Sequence, residues 1–423
     1  MVAVVDELRA ASEPGRLDGS AVLRLVALSV RARGEELLVG DVGAGEFVVL
    51  PEIAGVILDG IRAGQPLAAV AETAREVAGQ DVDVVDFAKG LIELGFVTHV
   101  NDRPVKNDRV RLHDGGRVGE RLAALAGPLF SRAAWIVYAT LAAGCAVLLL
   151  FAPRYRPPAN SVFFLHDPLA SLAILGVIDA GLTVFHEGAH WLAARVEGVP
   201  ARITLGRRLY LLVAQTDLTS LFAVPRRRRF GPLLAGLAFE IITLSLLLAA
   251  ELAAAHGLWH PPATLMRLLM ATALFRLNWS IAFQFLVFMR TDLYAVLVIG
   301  LDCLQLTRTT RLTIKRALRR LNSDEAAELA AADPRDLTVT RWYRWLYVGG
   351  MIAAAWFLIA FALPWLATIA HWITTSLTDT SPTGWRFWES LAFAAITLIP
   401  LLIPPTMMVV EQTRRLRQHS ATP

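Results

Sequence analysis

The sequence predicts a mainly helical protein, a polytopic membrane bundle of about six spans that follows a small N-terminal α+β domain. Hydrophobic residues make up 55% of the 423 residues and the mean hydropathy is +0.50, which is too apolar for an ordinary soluble protein of this length. The apolar residues are concentrated in runs of about 20, the length that a helix needs to cross a bilayer core of about 30 Å. The first hundred residues instead alternate short strand and helix patterns with turn signals.

The N-terminal domain is predicted to comprise residues 1–107. Apolar runs broken by glycines indicate one or two strands within 36–50, and a returning strand is expected at 96–100. Three helices are expected between them, near 51–64, 66–77 and 83–95, each bounded by a proline or aspartate at its start or by a glycine at its end. This order of elements is typical of a small winged-helix-like module.

Two segments of this domain, "LPEIAGVILDGI" and "FAKGLIELGFV", carry a resemblance to a known family. The stretch 37–100 resembles the peptide-binding recognition domain of ribosomal peptide-modifying systems, including the peptide chaperone of pyrroloquinoline quinone biosynthesis. The resemblance implies that the domain binds a leader peptide as an added strand. The alternative is a winged-helix module without a peptide ligand.

The rest of the chain is predicted to consist of membrane spans and the segments that connect them. Residues 108–131 form a polar linker, residues 132–306 a membrane core, residues 307–345 a basic cytoplasmic segment, and residues 346–423 a C-terminal pair of spans with a basic tail. Within the basic segment, 308–335 is predicted to be one amphipathic helix along the inner surface. The six spans are expected near 133–152, 169–193, 233–258, 265–289, 346–370 and 387–410.

The distribution of charge predicts the topology. Acidic residues interrupt the first thirty positions, so no signal peptide is expected and the N-terminus should be cytoplasmic. The arginines lie in the connections that then face inward, at 207–208, 226–229 and 308–320, and in the tail at 414–417, whereas the outer loop 256–264 has no Lys or Arg. We expect a multi-pass protein of the cytoplasmic membrane with both termini in the cytoplasm.

The same charge pattern limits the partners. The net charge of +4 comes from loops beside the membrane, so contact with membrane lipid is expected and nucleic-acid binding is not. The chain has only two cysteines, Cys145 and Cys303, so a metal site must use histidine and carboxylate ligands. Nothing in the sequence indicates the oligomeric state.

The most informative motif is His186-Glu187-Gly188-Ala189-His190, in the inner half of the second predicted span. Two histidines four residues apart lie on one helical face and can bind one metal ion, and the pattern HExxH is typical of zinc peptidases in which the glutamate is the general base. Ionisable residues inside a span indicate a functional site. The alternative is a structural histidine pair at a helix end.

A third ligand is expected from another span at the same depth. Asp292, at the cytoplasmic end of the fourth predicted span, is the preferred candidate, and Asp302 is the alternative. Four further polar residues lie within the spans. Asp179 is placed either to orient a ligand histidine or to bridge helices, and Glu240, Arg276 and Asn278 either pair across the bundle or line a water path, with Asn278 also a candidate substrate-binding residue.

The segments "HEGAHWLAARVEGVP" and "RRRRFGPLLAGLAFE" resemble the site-2 protease family of intramembrane metallopeptidases, over about residues 169–306. With the aspartate of the family's second motif at Asp292, its asparagine falls on Gln284, and the resemblance implies that Gln284 binds the substrate backbone. "RTDLY" is similar to the divergent branch found beside peptide-modification genes, the peptide zinc metallopeptidases.

Three hypotheses for the function follow. In the first, the chain is a zinc endopeptidase that cleaves a small precursor peptide or a membrane-anchored substrate near the cytoplasmic face, with the N-terminal domain capturing the substrate. In the second, that domain is regulatory and the substrate is a transmembrane signalling protein. In the third, the chain is a non-catalytic membrane scaffold or peptide exporter with a degenerate metal site.

Overall fold

The computed structural model describes residues 17–105, 116–208, 211–301, 303 and 305–357, together with scattered positions between 359 and 395. This part of the chain is mainly helical, with a small strand region near its N-terminus. It forms two compact units. The first contains the residues up to Ala126 with the segments Trp191–Arg202 and Asp217–Arg229, and the second contains Gly127–His190, Ile203–Thr216 and the residues from Phe230 onward.

The described residues of the first unit form two small antiparallel sheets and four α-helices. Strands β2, β3 and β4 form a meander in which β3 is central, and β1, β5 and β6 form the other sheet with β5 central. In chain order the elements are β1 (Leu23–Leu25), β2 (Leu28–Arg33), β3 (Glu36–Asp41), β4 (Glu46–Pro51), α1 (Ile53–Arg62), α2 (Leu67–Ala78), α3 (Val84–Glu93), β5 (Val97–Val100), β6 (Arg103–Pro104) and α4 (Gly116–Ala126).

The three helices α1 to α3 lie where the apolar periodicity predicts them. On α1 the residues Ala54, Ile57, Leu58 and Ile61 are buried, and their spacing of three and four residues places them on one face toward the core. The carboxylate of Asp83 caps α3 by accepting a hydrogen bond of 2.9 Å from the backbone of Asp86. The sequence did not indicate β1 and β2, because arginines and a serine interrupt their short apolar runs.

A segment distant in sequence also packs on this unit. The 3₁₀ turn Thr219–Ala223 contacts the meander, where the Ser220 hydroxyl donates to the Val42 carbonyl at 3.0 Å and the rings of Phe47 and Phe222 lie 5.9 Å apart. The residues between the second and third predicted spans are therefore not a free loop, because part of them completes the N-terminal unit.

Among the described residues, the other main elements are eight α-helices and a hairpin. They are α5 (Arg132–Phe151), α6 (Pro168–Val196), β7 (Arg202–Arg208), β8 (Leu211–Asp217), α7 (Arg226–Ala255), α8 (Ala263–Phe275), α9 (Asp292–Leu301), α10 (Leu306–Ala317), α11 (Ser323–Ala330) and α12 (Pro334–Phe357). A π-helix, Arg276–Ala282, continues α8, and a 3₁₀ turn, Val287–Met289, precedes α9.

Three of the described helices are long and apolar enough to cross a membrane, namely Arg132–Phe151, Ala170–Val196 and Arg226–Ala255. They coincide with the first three predicted spans, so the described residues support three spans where the sequence predicted six. The fourth predicted span, 265–289, is not one α-helix, because α8 passes into the π-helix at Arg276 and the chain turns before Val287.

The other two predicted spans fall partly or mostly outside the described residues. The predicted fifth span, 346–370, starts within α12, which itself begins twelve residues earlier at Pro334, and most of the span after Phe357 lies outside the described residues. Most of 358–423, including the sixth predicted span and the basic tail, lies outside the described residues.

The basic segment after α9 does not form the single surface helix that was predicted. Asn322 begins a new helix with a capping box, in which its side chain accepts a hydrogen bond from the Glu325 backbone at 2.7 Å. The helix before it, α10, buries a threonine-rich face, and the Thr310 and Thr340 hydroxyls lie 3.2 Å apart. This face of α10 therefore contacts the protein itself.

Candidate metal centre

The two histidines of the HExxH motif lie one turn apart on α6. Their spacing of four residues places both rings on one helical face, and both are nearly buried, at 5% for His186 and 3% for His190. Their Nε2 atoms lie 3.2 Å apart. The Oδ2 atom of Asp292 lies 3.3 Å from the Nε2 of His186 and 3.1 Å from that of His190. These three residues can hold a metal ion.

The chain reaches Asp292 through a tight turn. Arg290 adopts a left-handed conformation with φ of 60°, which a non-glycine residue rarely adopts and which is common near functional sites. The Thr291 hydroxyl then donates to the Gln284 carbonyl at 2.7 Å. The Gln284 side chain holds Asp292 at two points, because its Nε2 donates to Oδ2 and its Oε1 accepts from the Asp292 backbone, both at 3.0 Å.

The hydrogen bonds on the far side of each imidazole determine which nitrogen carries the proton. Nδ1 of His190 lies 2.7 Å from the Pro232 carbonyl, which can only accept, so Nδ1 carries the hydrogen. Nδ1 of His186 likewise donates to the Glu240 carboxylate at 2.8 Å. In the neutral rings both Nε2 atoms therefore present lone pairs to the Asp292 carboxylate. Three acceptors that converge in this way repel one another unless a metal ion lies among them or one imidazole carries a second proton.

Gly236 on α7 leaves the space in front of these atoms. A Cβ built on Gly236 would overlap the Nε2 atoms of both His186 and His190. Glycine weakens a helix by about 1 kcal/mol relative to alanine, so its presence in the middle of α7 has a local cost. The absence of a side chain at this position keeps the ligand atoms accessible.

Glu187, which follows His186 in the motif and is the predicted base, is also buried, at 7% exposure. The hydroxyl of Thr216, on β8, lies 2.7 Å from its Oε2 and 3.0 Å from its backbone carbonyl. A hydroxyl has one proton, and the shorter distance indicates that Thr216 donates it to the carboxylate. Thr216 thereby holds one oxygen of Glu187 in place.

Behind His186 a chain of charged groups extends into the bundle. Glu240 is fully buried and accepts hydrogen bonds from two guanidinium nitrogens of Arg276, one of them Nε at 2.7 Å. Arg276 is 2% exposed and donates through its third nitrogen to Asp179 at 2.6 Å. Of the two predicted possibilities, Glu240 and Arg276 therefore pair across the bundle, and Asp179 contacts Arg276 instead of a histidine.

Two further candidate residues have different surroundings. Asn278 is exposed and donates to the Leu274 carbonyl at 2.8 Å, so it is not among the residues that gather at the site. Gln284 is 6% exposed and its amide contacts Asp292 at both ends, so substrate binding by Gln284 stays a prediction. The alternative third ligand, Asp302, lies outside the described residues.

The sequence did not predict three contributors to the centre, Gly236, the Pro232 carbonyl and Thr216. It did indicate Glu240 as an intramembrane carboxylate, but the contact of Glu240 with His186 depends on how α6 and α7 pack. Gly236, the Pro232 carbonyl and Thr216 carried no signal of their own, because a small residue, a backbone oxygen and a hydroxyl are common in helices and strands.

Comparisons of the chain with models of protein families, with curated proteins and with solved structures find no match. The function must therefore be argued from the residues of the centre.

Proposed function

We propose that this chain is a membrane-embedded zinc metallopeptidase that hydrolyses a peptide bond. One observation carries the proposal, the convergence of the His186, His190 and Asp292 ligand atoms within 3.3 Å of one another, with a carboxylic acid next to the first ligand in sequence. A structural histidine pair would not need both imidazole lone pairs to face a carboxylate inside an apolar bundle.

The ligand set favours zinc. Bonds of about 2.0–2.1 Å in a tetrahedral zinc site separate the ligand atoms by roughly 3.3 Å, which is close to the three distances between these atoms. Two imidazoles and one carboxylate suit zinc, whereas magnesium and calcium prefer oxygen ligands alone. When bound, zinc supplies a Lewis acid and lowers the pKa of water at the open position to about 7.

The residues of the chain then have separate tasks. His186, His190 and Asp292 hold the ion, and Gln284 keeps the Asp292 carboxylate turned toward the histidines. Glu187 accepts a proton from the attacking water and later donates it to the amine of the leaving product. Thr216 donates a hydrogen bond to Oε2 of Glu187, so Oε1 is the oxygen that accepts and later donates that proton.

The substrate proposed is a small precursor peptide, or a membrane-anchored protein, cleaved near the cytoplasmic face. Within the first unit, β2 and β4 are the outer strands of the described meander, and an outer strand can pair with an extended peptide. We further propose the multi-pass topology with both termini in the cytoplasm, which the three candidate spans and the position of the arginines support.

The test uses the full chain purified in detergent, with peptides made from the short reading frames that flank its gene as candidate precursors and β-casein as an unrelated unfolded chain. Wild type is expected to bind one zinc ion and to cleave a precursor peptide. Glu187→Gln is expected to bind zinc equally and to lose cleavage, because only the proton acceptor is removed. Full proteolysis by that variant would contradict the mechanism, and wild type with less than one zinc per chain would favour a non-catalytic scaffold or exporter.

A further inference from the structure

The chain His186, Glu240, Arg276 and Asp179 is a costly arrangement for a helix bundle in a membrane. Glu240 and Arg276 have exposed fractions of 0% and 2%. Burying two charges requires several kcal/mol of desolvation each, and well-packed apolar residues often stabilise a protein as well or better. Packing of α7 against α8 therefore does not by itself explain why Glu240 and Arg276 are buried together.

The direction of the contacts gives the pair a more specific role. Oε1 of Glu240 is shared between Nδ1 of His186, at 2.8 Å, and a terminal nitrogen of Arg276. Oε2 accepts from the Nε of Arg276 at 2.7 Å. The guanidinium thus holds the carboxylate by both oxygens, and the carboxylate faces the one imidazole nitrogen that is not directed at the proposed metal.

Arg276 reaches both carboxylates from the junction of two helical segments. It follows the last residue of α8 and is the first residue of the π-helix Arg276–Ala282. A nitrogen of its fork also donates to Ser280, one turn later in the same segment, at 3.0 Å. Lysine has one nitrogen and cannot reproduce the two-point contact with Glu240 together with the contact with Asp179.

We propose that Glu240 and Arg276 are a positioning pair that sets the affinity of the centre for its metal. Arg276 holds the Glu240 carboxylate by both oxygens, and Glu240 accepts the hydrogen bond from Nδ1 of His186, so that Nε2 presents its lone pair and is a stronger donor to the ion. This inference rests on the metal site of the proposed function and concerns how tightly that site binds, not whether the chain cleaves peptides.

The experiment measures metal binding to the full chain in detergent. Zinc affinity is obtained by competition with a chromogenic chelator, and the visible absorption of bound Co²⁺ reports the geometry of the ligands. Glu240→Gln is expected to weaken zinc binding 10–100-fold and to change the cobalt spectrum. Arg276→Lys is expected to lie between that variant and wild type. Ser245→Ala is the matched control. Ser245 lies on α7, as Glu240 does, and makes a polar contact of 3.2 Å with Cys145 of α5, but it does not contact a proposed metal ligand.

A double variant separates positioning from folding. Glu240→Gln with Arg276→Gln removes both charges together, and its folding is checked by its elution in detergent and its unfolding temperature. If the pair positions His186, the folded double variant still binds zinc at least 10-fold more weakly than wild type. Wild-type affinity and an unchanged cobalt spectrum in the folded double variant would overturn the inference alone. Failure of wild type itself to bind zinc or cobalt would instead overturn the proposed metal site.

Discussion

The hydroxyl of Thr216 lies 2.7 Å from Oε2 of Glu187, so a residue of the β7–β8 hairpin holds the side chain of the proposed base on α6. The two residues are 29 positions apart, and neither the HExxH motif nor the residues next to it predict the contact. The contact links the hairpin to the proposed base, although the three candidate metal ligands come from helical segments.

Replacing Thr216 with valine should therefore slow the reaction without removing the metal. A hydrogen bond to a charged group contributes about 1.5–3 kcal/mol, which corresponds to roughly a 10–100-fold lower kcat if the bond is needed to orient Glu187. Thr216→Ser retains the hydroxyl and should stay near wild type. The measurements are kcat for the precursor peptide and zinc content. Equal rates for the two variants would show that this contact does not orient the base.

Because Gln284 holds the carboxylate of Asp292, substitutions at these two residues are expected to weaken zinc binding to different extents. Asp292→Ala should abolish zinc binding, because it removes a ligand. Gln284→Ala should weaken binding about 10-fold or more, since the carboxylate loses the amide that holds Oδ2 at 3.0 Å. Zinc content after dialysis and affinity by chelator competition distinguish the two. The control is Asp302→Ala, and loss of zinc in that variant alone would transfer the role of third ligand to Asp302.

Gly236 should not tolerate even one added carbon. Its Cβ would overlap the Nε2 atoms of His186 and His190, so Gly236→Ala is expected to reduce zinc binding and cleavage at least 10-fold. Gly188 is the matched control, because a Cβ there meets no atom within 4 Å and alanine favours a helix by about 1 kcal/mol. Wild-type zinc affinity in Gly236→Ala would mean that α7 does not face the ligand atoms as closely as this.

Removal of the metal should lower the stability of the folded chain. A ligand that binds only the folded state stabilises it by about 2.7 kcal/mol at a concentration 100 times its Kd. Treatment with a chelator is therefore expected to lower the unfolding temperature, and added zinc to restore it. His190→Ala should show neither change. A chelator effect of the same size in His190→Ala would indicate that the metal binds elsewhere.

Local patterns in the sequence were sufficient for much of the fold. Apolar periodicity predicts the helices α1, α2 and α3, and apolar runs predict the three candidate spans. Both signals are local, because residues close in sequence determine whether one face of a helix or the whole helix is apolar. The pairing of His186 and His190 also follows from their spacing alone. The interruption near Arg276 was not predicted, since a π-turn depends on the contacts that its side chains find in the bundle.

The tertiary structure decided what the sequence could not order in space. From the sequence, Asp292 was preferred to Asp302 as the third ligand only for its expected depth in the membrane. Its distances of 3.1 and 3.3 Å from the histidines result from the turn at Arg290 and from the hydrogen bonds with Gln284. The contacts of Glu240 with His186, and of Thr216 with Glu187, join residues 54 and 29 positions apart. The sequence by itself determined which side chains can bind a metal ion. Helix packing decided which other groups hold them, because hydrogen bonds between distant segments leave no periodic signal in the chain.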